Sequence, residues 1–407
     1  MEYLNIKPFK TRIYLDNAAT TPIDPKVLKE MEPFLKNDFG NPGGMYSYGY
    51  EAREAIDHAR TIIAKYLNCN AGEIIFTGSG TESDNLAIIG TAKANQKHGK
   101  HIITTKIEHP AVLETCQTLE KNGFRVTYLN VDKNGLIDLK ELEKAITRET
   151  ILISIMYANN EIGTIEPIAE AGKIIAKKRN KETGLPYFHT DACQAAGALS
   201  LDINALGVDM MTLNGSKIYG PKGVGALYLR KNTKIEPLIY GGHQEFGIRA
   251  GTENVAGIVG FATALDLAQK SIKTEVPRIK KLRDKLLSGI QKSIKKIIVN
   301  GHPVQRLPNN IHISIFDIEG EALVLYLDQM NICAGTGSAC SSKMLEASHV
   351  LRAISLPHEI IHGSLRLTLG KNTTEKEIEY TIETLAKIVA HLRAMSPINL
   401  KYTRGKN

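Results

Sequence analysis

The 407-residue chain carries 51 Lys and Arg against 43 Asp and Glu, a net charge of +8, with 43% hydrophobic and 23% charged residues. That balance suits a globular chain long enough for two domains and a large core, and it excludes a disordered polymer. The basic residues are scattered in short groups (177–179, 280–281) and form no nucleic-acid-binding run, and no apolar run approaches the ~18 residues of a membrane span.

Residues 1–17 lack an apolar signal core, so no secretory signal is expected. The five cysteines, Cys69, Cys116, Cys193, Cys333 and Cys340, show neither a CxxC pair nor zinc spacing. They point to free thiols in a reducing cytosol and to no metal site.

Residues 14–44 are turn-rich, with Pro22, Pro25, Pro33 and Pro42. Helical spacing follows over 51–67, where Ala52, Ala55, Ile56, Ala59, Ile62 and Ile63 share a face, and 73–77 reads as a strand. Gly78-Ser79-Gly80-Thr81-Glu82-Ser83 opens a helix with Leu86 and Ile89 on one face, and Ser79 with Glu82 has capping-box spacing. Such a start serves equally as a capped helix or as an anion site, and it lacks the GK[ST] of a nucleotide loop.

Strands over 101–105, 125–131 and 151–156 alternate with helices that begin near His109, Leu139 and Ile168. The apolar runs 185–190 and 208–213 read as buried parallel strands. The first delivers Asp191 and then Gln194; the second delivers Asn214, Gly215, Ser216 and Lys217. A strand over 224–230, a glycine-rich loop over 241–254 and long helical patterns over 255–296 follow. The remainder reads β–β–α–loop–α–β–α: strands near 297–299 and 311–316, a helix over 321–327, a loop carrying Cys340, a short helix, a strand over 364–369, and a last helix opened by Thr374 and Glu377. The alternation predicts an α/β fold with a mainly parallel, helix-covered sheet and a smaller α+β C-terminal domain.

An acid after one strand and a lysine after the next suit pyridoxal phosphate (PLP), which needs a Schiff-base lysine and a carboxylate facing its pyridine nitrogen. Alone, the pair is more often a capping Asp and a surface Lys. HTDACQAAG followed by NGSKIYGPKG resembles the PLP core of cysteine desulfurases, in the class V aminotransferase-related group of fold-type I enzymes. LDNAATTP, FGNP, GTESDN, EHPAV, NNEIG, RAGTEN, GSACSS and SLRLTLG occur in the family's order, so the resemblance runs from Tyr14 to about Arg393.

The resemblance implies a fold-type I PLP-dependent transferase with a seven-stranded-type sheet. It divides the chain into a large PLP-binding domain over 14–260 and a small domain over 261–407, with residues 1–13 packing on the latter. It implies a homodimer that converts L-cysteine to L-alanine and leaves a persulfide on Cys340. An acceptor protein would take the sulfur, either an iron–sulfur scaffold or a tRNA-thiolation protein. Lys217 matches the Schiff-base lysine, Asp191 the pyridine-nitrogen partner, Gln194 the contact to the phenolic oxygen, Asn160 a further cofactor contact, and His109 the imidazole stacked on the ring. Gly80, Thr81, Asn214, Gly215 and Ser216 would hold the phosphate, joined by Thr252 from the other subunit. Arg366, and more weakly Asn41, match the grip on the substrate carboxylate.

GSACSS resembles the class with a long, mobile catalytic loop. Cys333 reads as structural, although its nearness in sequence would let it resolve an oxidised Cys340. The chain departs from the usual pattern at Asn214 and Ser216, which replace a Ser and a His, and at Tyr46, where many members carry a His. The competing readings are a selenocysteine lyase or related PLP enzyme, for which Cys340 would be dispensable, and a non-catalytic PLP-fold scaffold.

Overall fold

The computed structural model describes residues 7–336, 347–397 and 399–400. In chain order the elements are β1 (Ile13–Tyr14), α1 (Pro25–Lys36), α2 (Ser47–Leu67), β2 (Ile74–Thr77), α3 (Gly80–Asn95), β3 (His101–Thr105), α4 (Pro110–Lys121), β4 (Arg125–Leu129), α5 (Leu139–Ala145), β5 (Thr150–Ser154), α6 (Ile168–Lys178), β6 (Tyr187–Asp191), α7 (Ile203–Leu206), β7 (Met210–Asn214) and β8 (Gly225–Leu229). They continue with α8 (Val255–Ser293), β9 (Ile297–Val299), β10 (Asn310–Ile315), α9 (Gly320–Gln329), β11 (Ile332–Cys333), α10 (His349–Ala353), α11 (His358–Ile361), β12 (Ser364–Thr368) and α12 (Glu375–Met395).

Seven strands form one sheet in the order β2-β8-β7-β6-β5-β3-β4. The pairs from β4 to β7 are parallel, while β8 runs antiparallel to both β7 and β2. The carboxyl ends of β2, β3, β5, β6 and β7 therefore share one edge, where an open α/β sheet binds its ligands. One face of the sheet packs Phe188, Met211, Leu213 and Phe261; the other packs Leu86, Ile102, Leu152 and Leu227. Helix α3 is buried nearly all round, so its N-terminus is fixed at that edge. Gly225 makes this close approach feasible: a Cβ there would sit 2.7 Å from the Ser79 carbonyl carbon.

A second core forms around the antiparallel sheet β12-β10-β9, where Leu286, Ile290, Ile313, Leu327, Leu367 and Leu385 meet. Ile13 and Leu15 belong to this core, and β1 pairs in parallel with β11. Phe9 adds backbone bonding to Met330 and a ring contact with Tyr380.

The structure departs from the sequence reading at 14–44, where α1 forms despite the prolines. Pro25 occupies the first helical position, where its missing N–H costs nothing, and the Asp24 carboxylate accepts from Lys26 N. The helical patterns over 255–296 join into the 39-residue α8, which accommodates Pro277 in its interior. Alone among the described residues, α8 is long and apolar enough to cross a membrane, but its apolar side chains lie in the two cores: Phe261 and Leu265 in the first, Leu286 and Ile290 in the second.

Candidate active site

Asp191 ends β6 and is buried, with Oδ1 accepting from Cys193 N at 2.9 Å. One strand over, β7 ends at Asn214, and a single 3-10 turn carries Gly215, Ser216 and Lys217. Lys217 is half-buried and its Nζ donates to the Ala19 carbonyl. Gln194 donates to the neighbouring Ala18 carbonyl at 2.9 Å. Beside them opens a cavity of about 430 Å³ that Lys217 and Gln194 line together with Asn17, Tyr219 and Lys371.

His109 caps α4, its Nδ1 accepting from Ala111 N at 3.1 Å. Burial lowers its basicity; Asp191 opposes that shift and Lys217 adds to it, so the imidazole feels both groups. His109, after β3, Asp191, ending β6, and Lys217, after β7, lie at the same carboxyl edge of the sheet. The capping bond leaves Nε2 as the ring nitrogen that carries the proton of a neutral imidazole.

Gly80 and Thr81 open α3 with N–H groups that have no intrahelical acceptor. A Cβ at Gly80 would lie 2.8 Å from Cys193 Sγ and 3.4 Å from Asn214 Nδ2, so only glycine lets this helix end reach the strand end. Ser79 caps the helix, but Glu82 accepts from Gly78 N and pairs with Arg249, so half of the expected capping box forms. Ser216 Oγ donates to Asn214 Oδ1 at 3.1 Å, which leaves the Asn214 Nδ2 amide as a donor toward Gly80.

Arg366 is a buried side chain of β12, only 4% exposed, and not the solvent-facing strand residue its local pattern allows. Its Nη1 donates to the Asn160 carbonyl at 3.0 Å and its Nη2 to Asp16 Oδ1 at 2.9 Å, while its Nε is buried without a partner. Asn160 therefore meets Arg366 through its backbone. Asn41 sits in an exposed turn, accepting from Gly43 N at 2.8 Å. Thr252 is exposed too, on the loop that includes Glu245 and Phe246 at positive φ. Arg60 holds that loop through a buried ion pair with Glu245. Cys340 lies outside the described residues. Cys333 is fixed in β11, and burial with the Asp328 carboxylate pushes its thiol up.

Several groups behind the site escaped the sequence reading although they sit inside its motifs. His189 bonds Ser154 Oγ at 2.9 Å and Thr212 Oγ1 at 3.0 Å, and burial drops it to about 4. Asp84 lies 3.7 Å from its Nε2, and burial, reinforced by Asp191, holds that carboxyl well above the usual range. Glu108 accepts from Thr105 and Met156, and Glu161 accepts from Ser348 Oγ at 2.6 Å.

Burial raises Glu108 to about 8 and Glu161 to about 7, from an ordinary 4.5. The folded chain keeps these protons where the unfolded chain has released them, so stability falls as pH climbs from 4.5 to 8. The buried imidazoles His189 and His312 act in the opposite sense, but only below 6.5. The melting temperature should therefore fall between pH 6.5 and 8. Glu161→Gln keeps an acceptor for Ser348 and should recover roughly 1–3 kcal/mol at the alkaline end. Thermal melts across that range check this, and an unchanged slope in the variant contradicts it.

The residues fit PLP: a carboxylate and a lysine at the ends of adjacent strands, an imidazole at the same sheet edge, and an anion cradle at a helix start.

The class-V aminotransferase family profile matches residues 13–381. A curated relative from Dictyoglomus turgidum, "Cysteine desulfurase IscS", is 51% identical over 98% of this chain and 99% of its own. Another of the same name, from Methanosarcina thermophila, is 50% identical over 98% and 97%. Among solved structures, a "NifS-like protein" has a TM-score of 0.88 at 39% identity, covering 94% of this chain and all of that one. "SspA in complex with cysteine" has a TM-score of 0.76 at 35% identity, over 88% and 99%.

Proposed function

Because the chain belongs to the class-V aminotransferase family and is a PLP-dependent cysteine desulfurase, we propose that it passes the sulfur of L-cysteine through Cys340 to an iron–sulfur scaffold protein. The reading of the site rests above all on one observation: Asp191 at the end of β6, Lys217 on the turn after β7 and His109 at the start of α4 share the carboxyl edge of the sheet. When bound, PLP supplies an electron sink for the Cα carbanion of the substrate.

The remaining work belongs to side chains. Asp191 keeps the pyridine nitrogen protonated, and Gly80, Thr81, Asn214, Gly215 and Ser216 hold the phosphate. Arg366 binds the substrate carboxylate by turning its fork from Asp16 toward the ligand, the task a planar guanidinium performs best. Lys217 Nζ takes the Cα proton, and His109 Nε2 carries protons to and from the sulfur. Cys340, as thiolate, attacks the substrate sulfur; the C–S bond breaks and an S–S bond forms. L-cysteine and the thiol become alanine and the persulfide.

A second copy of the chain completes the site. Phe39, Met45, Tyr240 and Phe246 are 74%, 89%, 72% and 62% exposed, and residues of the 42–53 and 243–253 segments line one cleft. Exposed apolar side chains of this kind suit burial against another subunit, across whose boundary Thr252 would be donated. The free thiols among the described residues suit a cytoplasmic enzyme. Incubating the PLP-loaded enzyme with L-cysteine and a dithiol tests the activity: equal amounts of alanine and sulfide support it, and alanine without sulfide opposes it.

The phosphate reading gives its own test. Ser216→Ala should speed PLP loss by roughly tenfold during dialysis against a competing amine, the worth of one hydrogen bond. Ser216→His should hold PLP as well as the wild type. Equal retention by Ser216→Ala would place the phosphate on other donors.

A further inference from the structure

The segment between α10 and β12 reads His358-Glu359-Ile360-Ile361-His362, and nothing in the desulfurase chemistry uses it. Its helical turn α11 follows Pro357 as N-cap. Ile360 and Ile361 are buried beneath it, and the His362 carbonyl accepts from Gly320 N at 2.7 Å. The backbone bearing both imidazoles is therefore pinned from below and at its end. The four-residue spacing puts the rings on one side, with centroids 4.4 Å apart and planes at 70°.

Their Nε2 atoms stand 3.3 Å from each other. Two nitrogens bound to one tetrahedral ion at ~2.0–2.1 Å lie about 3.3–3.4 Å apart, so the pair already spans the distance such an ion requires. His358 is exposed and His362 half-buried, which leaves solvent access to the pair.

We propose that His358 and His362 form a two-imidazole binding site for a first-row divalent transition ion of the zinc, nickel, cobalt or copper class. Water fills the remaining positions. Imidazole nitrogen favours these ions over magnesium and calcium, which want oxygen. A helical His-Glu-x-x-His with a third protein ligand builds a hydrolytic zinc centre. Among the described residues no third His, Cys, Asp or Glu joins this pair, so the site binds an ion without performing that chemistry.

The test titrates the PLP-loaded enzyme with nickel(II) by calorimetry and records copper(II) spin-resonance spectra. The wild type should bind about one ion more than His358→Gln or His362→Gln, and its copper spectrum should show two coordinated nitrogens that either variant loses. Magnesium should not compete. Both variants should turn over L-cysteine at the wild-type rate, because neither residue belongs to the machinery above. Identical nickel binding in the wild type and both variants would overturn the site and reduce the 3.3 Å contact to an imidazole–imidazole hydrogen bond.

Discussion

Lys217→Ala should abolish alanine formation from L-cysteine and remove the visible absorption of the covalently held cofactor. Lys217 sits on the turn that follows β7, its Nζ within reach of the Ala19 carbonyl and close enough to bias His109. In the proposed site it holds the cofactor and moves the Cα proton. Loss of a general base alone costs about 10²–10⁴-fold, and loss of the covalent link comes on top, so activity should fall below detection. The substitution leaves a half-buried position with a small side chain, and the fold should survive. Far-ultraviolet circular dichroism separates a folded, colourless variant from a collapsed one. A folded variant that still makes alanine at more than about a thousandth of the wild-type rate would remove Lys217 from the chemistry.

Cys340→Ala should separate sulfur transfer from cofactor binding. The variant should keep PLP, and L-cysteine should still perturb its visible spectrum, because Lys217, Asp191 and Arg366 lie on other elements. Sulfide release under reducing conditions should drop by several orders of magnitude, since no thiolate remains to accept the sulfur. Cys333 cannot take over: it is fixed in β11 and its thiol is pushed up by burial and Asp328. Cys69 and Cys116 are each pushed to about 12 by burial and are equally poor nucleophiles. Wild-type sulfide production by the variant would favour a lyase that needs no cysteine.

The strand–helix alternation was legible because each element is long enough to show its period, as at His101–Thr105 and Ile168–Lys178. Helix α1 was hidden because Pro25 and Pro33 read as breakers, whereas one starts the helix and the other is tolerated inside it. The β1–β11 pair is two residues long on each side, too short for any periodicity. Asp191 could be picked out because it follows an apolar run directly, and Lys217 because it closes the short polar stretch after the next run. The partnership of Arg366 with Asp16 joins opposite ends of the chain and leaves no local pattern. The same holds for Glu161 with Ser348 and for Arg60 with Glu245. Such long-range pairs emerge only when distant segments of the chain pack together.

The central claim is that one cysteine, Cys340, receives the substrate's sulfur. Mixing the PLP-loaded wild type with isotopically labelled L-cysteine without reductant, quenching after one turnover and mapping the peptides by mass spectrometry tests it most directly. The account predicts one labelled sulfur on the peptide containing Cys340 and one alanine per site. Label found only on Cys333, or alanine formed with no sulfur on the protein, would contradict it.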